Sequence, residues 1–444
     1  MRVGRLDIAF FGNFGIGNFG NEATLEATLG GVRELFPDAR FTCVCSAPER
    51  VCADYGIAAL PSTYDLVKPW SRHGRLARLA QRLLLGAPGE LHRWLKTVKA
   101  LRRIDALIVP GTGLLTDAHT MFGWGPYDMF RWTVAAKLCR CRILFVSVGA
   151  GPLYSRAGRF FVKMALSLAD FRSYRDESSQ KHLQRAGFQS GEDPVYPDLA
   201  FSLPPTKSPE REASKRPRQV VGVGVMQYAG RYSVESPNDA TRVAYLARMA
   251  EFAGWLLARG YDVRLLAGDV VDVPVIEEFR ALLESRCAAY SEERIIDEPV
   301  TSVENLLSQL AATDLVVATR FHNVLLSLLL NKPAIAIAFH HKCASLMKQM
   351  QLSEYCLDIN NLKTEELIAQ FRELEKNAGR LKLMIQEKVE DRRKALEEQY
   401  RIIFQTIFPG VPVPEGLGGE RRSTRSGEME EAVCLQDERT ARWK

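Results

Sequence analysis

The sequence predicts an α/β protein made of two doubly wound, Rossmann-like domains that face each other across a cleft. Short, nearly continuous apolar runs alternate with helical patterns, and a segment rich in proline and charge divides the alternation into two series. Continuous apolar runs are typical of parallel strands that helices cover on both faces. The strand–helix order builds doubly wound sheets, and paired α/β domains commonly bind ligands between them.

The predicted elements follow one another in both series. The strands are Asp7–Phe11, Arg40–Cys45, Ala106–Val109 and Ile143–Val148 in the first half, and Val220–Val225, Val263–Leu266, Leu315–Ala318 and Ala334–Ala338 in the second. Helical patterns cover Glu22–Leu35, Phe160–Ala169, Ser178–Ala186, Asp239–Arg259, Ile276–Ala289, Val303–Ala311 and the long stretch Thr364–Ile407. This order predicts an N-terminal domain over 1–204, a linker over 205–218, a C-terminal domain over 219–408 and a disordered tail over 409–444.

Composition limits the functional class. The chain has 444 residues, of which 46% are hydrophobic and 25% charged, as in ordinary soluble globular proteins. A net charge of +6 over this length does not indicate nucleic-acid binding. The run of about 18 apolar residues that a membrane-spanning helix needs is absent, and the N-terminus does not resemble a signal peptide. We therefore expect a cytoplasmic protein whose nine cysteines are reduced thiols, with no metal site and no cofactor.

A glycine-rich loop lies between the first strand and the first helix. Its four glycines allow tight turns and close approach of another group, and the helix N-terminus that follows attracts anions. The spacing matches neither a dinucleotide fingerprint nor a Walker motif. Asn13, Asn18 and Asn21 add polar side chains that a plain structural turn, the alternative, does not need. We predict that these three residues bind substrate.

Two more glycine loops follow predicted strands. Gly111 and Gly113 precede Asp117, and Gly149 and Gly151 follow the next strand. Because the carboxyl ends of parallel strands meet at one edge of a sheet, we expect all these loops to open on the ligand-binding edge. The four glycines are predicted substrate-binding positions, and Asp117 is the candidate general base.

Arginine and histidine mark two further strand ends. Arg175 lies between a strand and a helix, where it can bind a carboxylate or phosphate, although its neighbour Asp176 could simply cap the helix. Arg320 and His322 follow a buried strand and open an apolar helix. We predict that Arg320 binds an anion and that His322 transfers a proton, the alternative being a hydrogen-bonded structural histidine.

The next strand end adds Lys342 as a second cation. Because Arg320 and Lys342 both follow strands whose apolar residues form the core, we expect their charges to be dispensable for folding. The adjacent His340 and His341 are expected to point apart, which argues against a metal pair.

These motifs, in this order, resemble the polysaccharide pyruvyltransferase family. The resemblance implies a two-domain fold like that of GT-B glycosyltransferases. It also implies transfer of the enolpyruvyl unit of phosphoenolpyruvate to a sugar of a cell-surface polysaccharide or its lipid-linked precursor, forming a pyruvate ketal and releasing phosphate. The matching stretches are Gly12–Glu22, Asp105–Asp117, Ser147–Leu153, Arg175–Gly187, Tyr196–Leu203 and Thr319–Lys342.

The resemblance assigns roles residue by residue. Arg320 and His322 match the family's R-x-H, Arg175 its R-D-E, and Lys342 its lysine after the following strand. Phosphoenolpyruvate carries a carboxylate and a phosphate, so a site for it needs several cations. His322 would protonate the enol carbon, and Asp117 would assist the attacking hydroxyl. The chain departs from the family where Asn21 replaces an acid and Pro110 a glycine, which favours an altered substrate.

A basic segment over 72–103 holds nine arginines and lysines opposed only by Glu90. Arg75, Arg78 and Arg82 share one helical face, and leucines follow at the same spacing. A basic amphipathic helix of this kind suits an anionic membrane surface, although a helix packed by its leucines is the simpler reading. We predict peripheral contact at the inner face of the membrane.

Two other functions fit the sequence. A GT-B glycosyltransferase that uses a nucleotide sugar would have the same fold, with the diphosphate in the basic site. A scaffold protein without activity would explain Asn21 and Pro110, but the intact set of Arg320, His322 and Lys342 argues against it.

Overall fold

The structure is a computed structural model that describes residues 5–63, 75–117, 124–189, 191–204, 218–228, 239–286 and 292–409. Almost all of the predicted linker and tail lies outside these ranges. The chain forms two compact units. Unit 1 comprises Met1–Ile16, Thr28–Asp198 and Glu397–Lys444, and unit 2 comprises Gly17–Ala27 and Leu199–Leu396. The domain boundaries and the cleft stay predictions.

Unit 1 contains a six-stranded parallel sheet in the order β3-β2-β1-β4-β5-β6. The sequence order reverses between β1 and β4, as in a doubly wound sheet. The four predicted strands of this half are confirmed, and the short, alanine-rich edge strand β3 is present in addition to them. The strands are β1 (Asp7–Phe11), β2 (Arg40–Cys45), β3 (Ala58–Pro61), β4 (Ala106–Pro110), β5 (Arg142–Val148) and β6 (Phe171–Tyr174).

Helices connect these strands, and their apolar sides pack on the sheet. Phe145 and Trp132 are fully buried in the resulting core. Within the basic segment, Arg75–Leu101 forms a helix, as predicted for its first part, and this helix continues well beyond residue 85. The directions of the side chains of Arg75, Arg78 and Arg82 lie outside the described residues. The helices are α1 (Phe19–Leu35), α2 (Pro48–Tyr55), α3 (Arg75–Leu101), α4 (Trp124–Leu138), α5 (Arg156–Ser167) and α6 (Glu177–Arg185).

Unit 2 contains a second parallel six-stranded sheet in the order β12-β11-β10-β7-β8-β9. Its order reverses between β7 and β10, so it has the same doubly wound topology as the first sheet. All four strands predicted for this half are present. The strands are β7 (Val220–Gly224), β8 (Asp262–Leu265), β9 (Ile295–Ile296), β10 (Leu315–Ala318), β11 (Ala334–Ala338) and β12 (Cys356–Asp358).

The helices of the second half include the long stretch predicted over 364–407. It consists of two helices that are separated at Asn377, the residue after the first helix, whose side-chain Nδ2 also donates to the carbonyl of Glu373 at 2.8 Å. None of the helices described is long and apolar enough to cross a membrane. The helices are α7 (Asp239–Ala258), α8 (Val273–Arg286), α9 (Val303–Ala311), α10 (Phe321–Leu329), α11 (His341–Gln349), α12 (Thr364–Lys376) and α13 (Ala378–Ile407).

Candidate functional site

The carboxyl ends of β8, β7, β10 and β11 lie side by side in the sheet of unit 2. Arg320 is the residue that precedes α10, and His322 lies in the first turn of that helix. Lys342 lies in the first turn of α11, where its N–H donates to Nδ1 of His340 at 3.4 Å. The three predicted residues therefore follow adjacent strands and belong to the same edge of the sheet.

Arg320 forms ion pairs with two aspartates that follow β8. Its Nε and Nη2 donate to the two carboxylate oxygens of Asp272 at 2.7 and 2.6 Å, and Nη1 lies 3.7 Å from Oδ2 of Asp269. Burial alone would lower the pKa of the guanidinium, but the hydrogen bonds and charge of Asp272, followed by the charge of Asp269, raise it above its ordinary value. Arg320 is therefore a cation held in a fixed orientation.

Asp272 changes the expectation about folding. Its side chain is fully buried, and its Oδ1 also accepts the N–H of Gln227 at 2.9 Å. A buried carboxylate needs a compensating charge, which Arg320 supplies. The expectation that the charge of Arg320 is dispensable for folding stays a prediction, and this geometry argues against it, because removing the charge would leave Asp272 buried without its cation.

The start of α1 belongs to the same unit and joins this network. Nδ2 of Asn18 donates to Oδ2 of Asp269 at 2.6 Å, and Oδ1 of Asn18 accepts the N–H of Asn21 at 3.0 Å. The second bond is a helix cap. Gly17, with φ +84°, accepts the N–H of Val270 at 3.0 Å, and a Cβ on it would lie 2.6 Å from that valine's side chain. Asn18 thus fixes α1 against the loop that holds Arg320.

His322 packs directly on the backbone of α1. A Cβ added to Gly20 would lie 1.9 Å from Nδ1 of His322, well inside any permitted contact. On another side, the imidazole meets the ring of Phe321 edge-on, with ring centroids 4.9 Å apart. The bare surface of Gly20 is therefore what allows the imidazole to occupy its position.

Asn323, next to His322, carries a polar group without a partner. Its side chain is fully buried, and neither the oxygen nor the nitrogen of its amide has a hydrogen-bond partner in the part of the chain that the structure describes. The amide lies against Gly224 at the end of β7 and Gly268 after β8, 3.1 and 2.8 Å from where their Cβ atoms would be. An unsatisfied buried amide is rare and is typical of functional sites.

The histidines after β11 are arranged differently from the expectation. The rings of His340 and His341 do not point apart: their centroids lie 3.9 Å apart, because His340 turns to cap α11. Within the described ranges, no three histidine, cysteine or acidic residues are grouped so that they could hold a metal ion.

The glycine loops after β4 and β5 of unit 1 are joined to each other. The N–H of Leu115 donates to the carbonyl of Gly149 at 3.3 Å, and the N–H of Gly151 donates to the carbonyl of Leu115 at 3.0 Å. β1, β4 and β5 are neighbours, so the loops open on one edge of this sheet, as the sequence predicts. The buried hydroxyl of Thr112, between Gly111 and Gly113, has no hydrogen-bond partner among the described residues.

Asp117, the candidate base, is occupied by the start of α5. Its carboxylate accepts the N–H groups of Tyr154 and Ser155, both at 2.8 Å, and the hydroxyl of Ser155 at 2.6 Å. These contacts orient the loop before α5, where Ser155 caps the helix. The geometry favours a structural role, and the assignment of Asp117 as the base stays a prediction.

Arg175 is also paired. Its Nη1 donates to Oδ2 of Asp198 at 3.0 Å, and its Nε lies 3.6 Å from Asp176, which caps α6 as anticipated. Its guanidinium is 2.7 Å from where a Cβ of Gly149 would lie. Asn13, by contrast, is exposed near Ser46, whose hydroxyl lies 3.5 Å from its amide oxygen. Substrate binding by Arg175, Asn13 and Asn21 stays a prediction.

Sequence reasoning missed the acidic partners. Asp269 and Asp272 follow β8 in the segment Asp-Val-Val-Asp, and Asp198 lies in the segment Tyr-Pro-Asp-Leu. The available signal was an acidic residue just after a predicted strand, or between a proline and an apolar run, but nothing local indicates which arginine each one meets.

Comparisons with known proteins find a matching family and a curated relative. The polysaccharide pyruvyl transferase family model matches residues 18–341. The amylovoran biosynthesis protein AmsJ of Erwinia amylovora is 21% identical over 305 residues, which are 66% of this chain and 71% of AmsJ.

Solved structures resemble this chain in fold. The UDP-GlcNAc 2-epimerase of Neisseria meningitidis bound to UDP-GlcNAc matches with a TM-score of 0.55 and 11% identity, covering 90% of this chain and 99% of the epimerase. A glycosyltransferase from Rickettsia africae matches with a TM-score of 0.53 and 10% identity, covering 92% and 100%. At this identity the likeness shows the fold alone, and it confirms the GT-B-like pair of Rossmann-like domains.

Proposed function

Because this chain belongs to the polysaccharide pyruvyl transferase family, we propose that it transfers the enolpyruvyl unit of phosphoenolpyruvate to a polysaccharide sugar. The product would be a pyruvate ketal on a cell-surface polysaccharide or on its lipid-linked precursor, with release of phosphate. The observation that carries the proposal is His322, an imidazole seated on Gly20 beside the charged Arg320.

His322 is the proposed proton donor. Its proton would go to the methylene carbon of the enolpyruvyl group, turning that carbon into a methyl group and leaving an oxocarbenium-like centre at the next carbon. A sugar hydroxyl adds to this centre, and its proton returns to His322. The bond between this carbon and the phosphate oxygen then breaks, a second hydroxyl of the same sugar attacks the carbon to close the ketal, and the proton of that hydroxyl leaves with the phosphate.

The donor would bind at the edge of the unit 2 sheet. The N-termini of α10 and α11 supply N–H groups for its phosphate and carboxylate, and Lys342 lies in the first turn of α11. Arg320 is held by Asp269 and Asp272, so we propose that it orients the donor and stabilises charge in the transition state rather than acting as the main anion site. The amide of Asn323, which has no hydrogen-bond partner among the described residues, offers one further donor and one acceptor.

The acceptor would meet unit 1. The joined glycine loops follow β4 and β5 at the carboxyl edge of the first sheet, the edge at which such sheets bind ligands. The hydroxyl of Thr112 in the first loop has no hydrogen-bond partner among the described residues. Gly111 and Gly113 would allow a sugar to approach this backbone closely. The side chains of Arg175 and Thr116 pack on Gly149 and Gly151, so substrate binding at these two glycines stays a prediction. A lipid-linked acceptor would bring the protein to the cytoplasmic face of the membrane, where the basic segment 72–103 would make peripheral contact.

Ligand choice and phosphate release test the proposal. We expect phosphoenolpyruvate to raise the melting temperature of the full-length protein, and UDP-GlcNAc to leave it unchanged. Phosphate release from phosphoenolpyruvate should then depend on an added oligosaccharide or lipid-linked acceptor, and mass spectrometry should find the ketal on that acceptor. Stabilisation by UDP-GlcNAc alone would contradict the proposal and support a nucleotide-sugar glycosyltransferase.

A further inference from the structure

Two neighbouring regions of unit 1 expose large apolar side chains. On α3, Leu91 and Leu95 are one helical turn apart and are 61% and 62% exposed. On α5, Phe160 is 54% exposed and Met164, one turn further on, is also exposed. Side chains of this size are usually buried, and several on adjacent helices form a patch that fits an interaction surface.

A row of aromatic rings connects the two regions across α4. The ring centroids of Trp94 and Phe130 lie 6.4 Å apart, and those of Phe130 and Phe160 lie 6.2 Å apart. Nε1 of Trp94 donates to the hydroxyl of Tyr127 at 3.2 Å, and that hydroxyl donates to Glu90. The row is therefore held in place by hydrogen bonds, and it links α3, α4 and α5 into one surface.

The surface is positively charged at its borders. On α5, Arg156 and Arg159 are exposed, and the helix contains Lys163 but no acidic residue. Lys99 is exposed on the last turn of α3, and Arg102 and Arg103 are exposed just beyond it. The acids on these helices are Glu90, which pairs with Arg93, and Asp128, which pairs with Arg131. The remaining charge is cationic.

We propose that this aromatic and basic surface of α3, α4 and α5 docks on an anionic lipid bilayer. Exposed leucine, phenylalanine and methionine can enter the acyl boundary, tryptophan and tyrosine favour the headgroup level, and flanking cations attract anionic headgroups. A folded protein partner would need acidic complementarity, whereas a bilayer supplies both apolar depth and negative charge. The inference rests on the proposed function only in one respect, namely that a lipid-linked acceptor gives the protein a reason to bind a membrane. The exposed apolar and basic residues carry the argument for docking.

Vesicle flotation tests the apolar part. The full-length protein should float with vesicles of phosphatidylcholine mixed with phosphatidylglycerol, and much less with phosphatidylcholine alone. Leu91→Ser/Leu95→Ser should weaken binding by about tenfold per leucine, and Phe160→Ser by a similar factor. Leu383→Ser is the matched control, because Leu383 is an equally exposed leucine on α13 of unit 2, and it should leave flotation unchanged.

Substitutions of two arginines test the electrostatic part of the proposal. Arg156→Gln and Arg159→Gln should each weaken flotation about fivefold at low salt, and this difference should shrink at high salt. Melting temperatures of the leucine and arginine variants should match the wild type, since these side chains are exposed. Phe160→Ser also loses its ring contact with Phe130, so its flotation is measured well below its own melting temperature. Equal binding to neutral vesicles, or unchanged flotation of the leucine and phenylalanine variants, would overturn the proposal. So would loss of a dimer instead of loss of vesicle binding, because the surface would then serve a second copy.

Vesicle binding and the proposed pyruvyl transfer can be tested separately. Phosphate release with a water-soluble acceptor should be the same in the surface variants as in the wild type. Vesicle binding without turnover of phosphoenolpyruvate would refute the proposed reaction and leave the docking surface standing, whereas turnover without vesicle binding would do the reverse.

Discussion

Arg175 in unit 1 and Arg320 in unit 2 invite comparison, because both follow a strand of a doubly wound sheet and both were expected to bind an anion. Each is instead paired with aspartates from elsewhere in its own unit. The side chain of Arg175 is 5% exposed and packs on Gly149, whereas that of Arg320 is 18% exposed and lies two residues before His322. An arginine after a strand is thus not by itself an anion site; its acidic partners decide how much of its charge a ligand can use.

The largest effect expected on the unit 2 side comes from His322. His322→Ala should lower turnover by about 10²–10⁴-fold, the usual contribution of a positioned proton donor, while phosphoenolpyruvate still stabilises the protein in a thermal-shift assay. Steady-state phosphate release measures the first effect. A variant with near-normal turnover would show that His322 is only a structural part of the turn.

Replacing either arginine by alanine should lower the free energy of unfolding, and Arg175→Ala should lower it more than Arg320→Ala. Arg175→Ala and Arg320→Ala each leave a buried aspartate without its cation, a change that destabilises by about 3–5 kcal/mol, with Arg175 toward the upper end because it is the more buried. Urea unfolding measures this change. Arg40→Ala, which breaks an exposed pair with Asp7, is the control and should have a much smaller effect.

The turnover of the lysine variants distinguishes an arginine that acts in the reaction from one that is only structural. Arg320→Lys keeps a charge beside Asp272 but loses the two-pronged contact, so it should recover part of the stability and little of the turnover. Arg175→Lys should recover stability with turnover close to the wild type if Arg175 is structural. Equal losses of turnover in the two lysine variants would place Arg175 in the reaction as well and remove the contrast.

Comparing the two halves also shows what a sequence can reveal. The central strands of both sheets were predictable, because runs such as Leu315–Ala318 are continuous and apolar. The edge strands β3, β9 and β12 were not. β9 and β12 are only two and three residues long, and β3 is alanine-rich, a composition equally typical of a helix. The positions of Arg320 and His322 could be predicted from local pattern. Their surroundings could not, because Asp272 lies 48 residues from Arg320 and Gly20 meets His322 only through the fold.

The contact between Gly20 and His322 can be tested with two substitutions on α1. Gly20→Ala places a methyl group where the imidazole of His322 lies, so turnover should fall about 10²-fold through misplacement of the proton donor. Gly30→Ala is the matched control: it makes the same change on α1 where no atom lies within 4 Å, and it should stabilise the helix by up to about 1 kcal/mol with normal turnover.

A double variant distinguishes displacement of His322 from general damage. If Gly20→Ala acts only through His322, then Gly20→Ala/His322→Ala should be no slower than His322→Ala alone, and the pH profile of residual activity should be the same in both. Additive losses would mean that Gly20 affects the site by another route.

The smallest effect concerns a third arginine–aspartate pair, in which burial of the carboxyl outweighs the attraction of the arginine. Nη1 of Arg131 lies 2.9 Å from Asp128 on α4, yet burial raises the pKa of that carboxyl to about 6, outweighing the attraction of Arg131 and Arg93. Because the pKa is higher in the folded state, the contribution of Asp128 to stability is complete below about pH 4 and is lost as the pH rises through 6.

Asp128→Asn keeps a hydrogen-bond acceptor for Arg131 and removes the titration. The stability of this variant relative to the wild type should therefore rise by about 2 kcal/mol between pH 4 and pH 7, measured by urea unfolding at both pH values. A relative stability that does not change with pH would show that folding does not raise the pKa of Asp128.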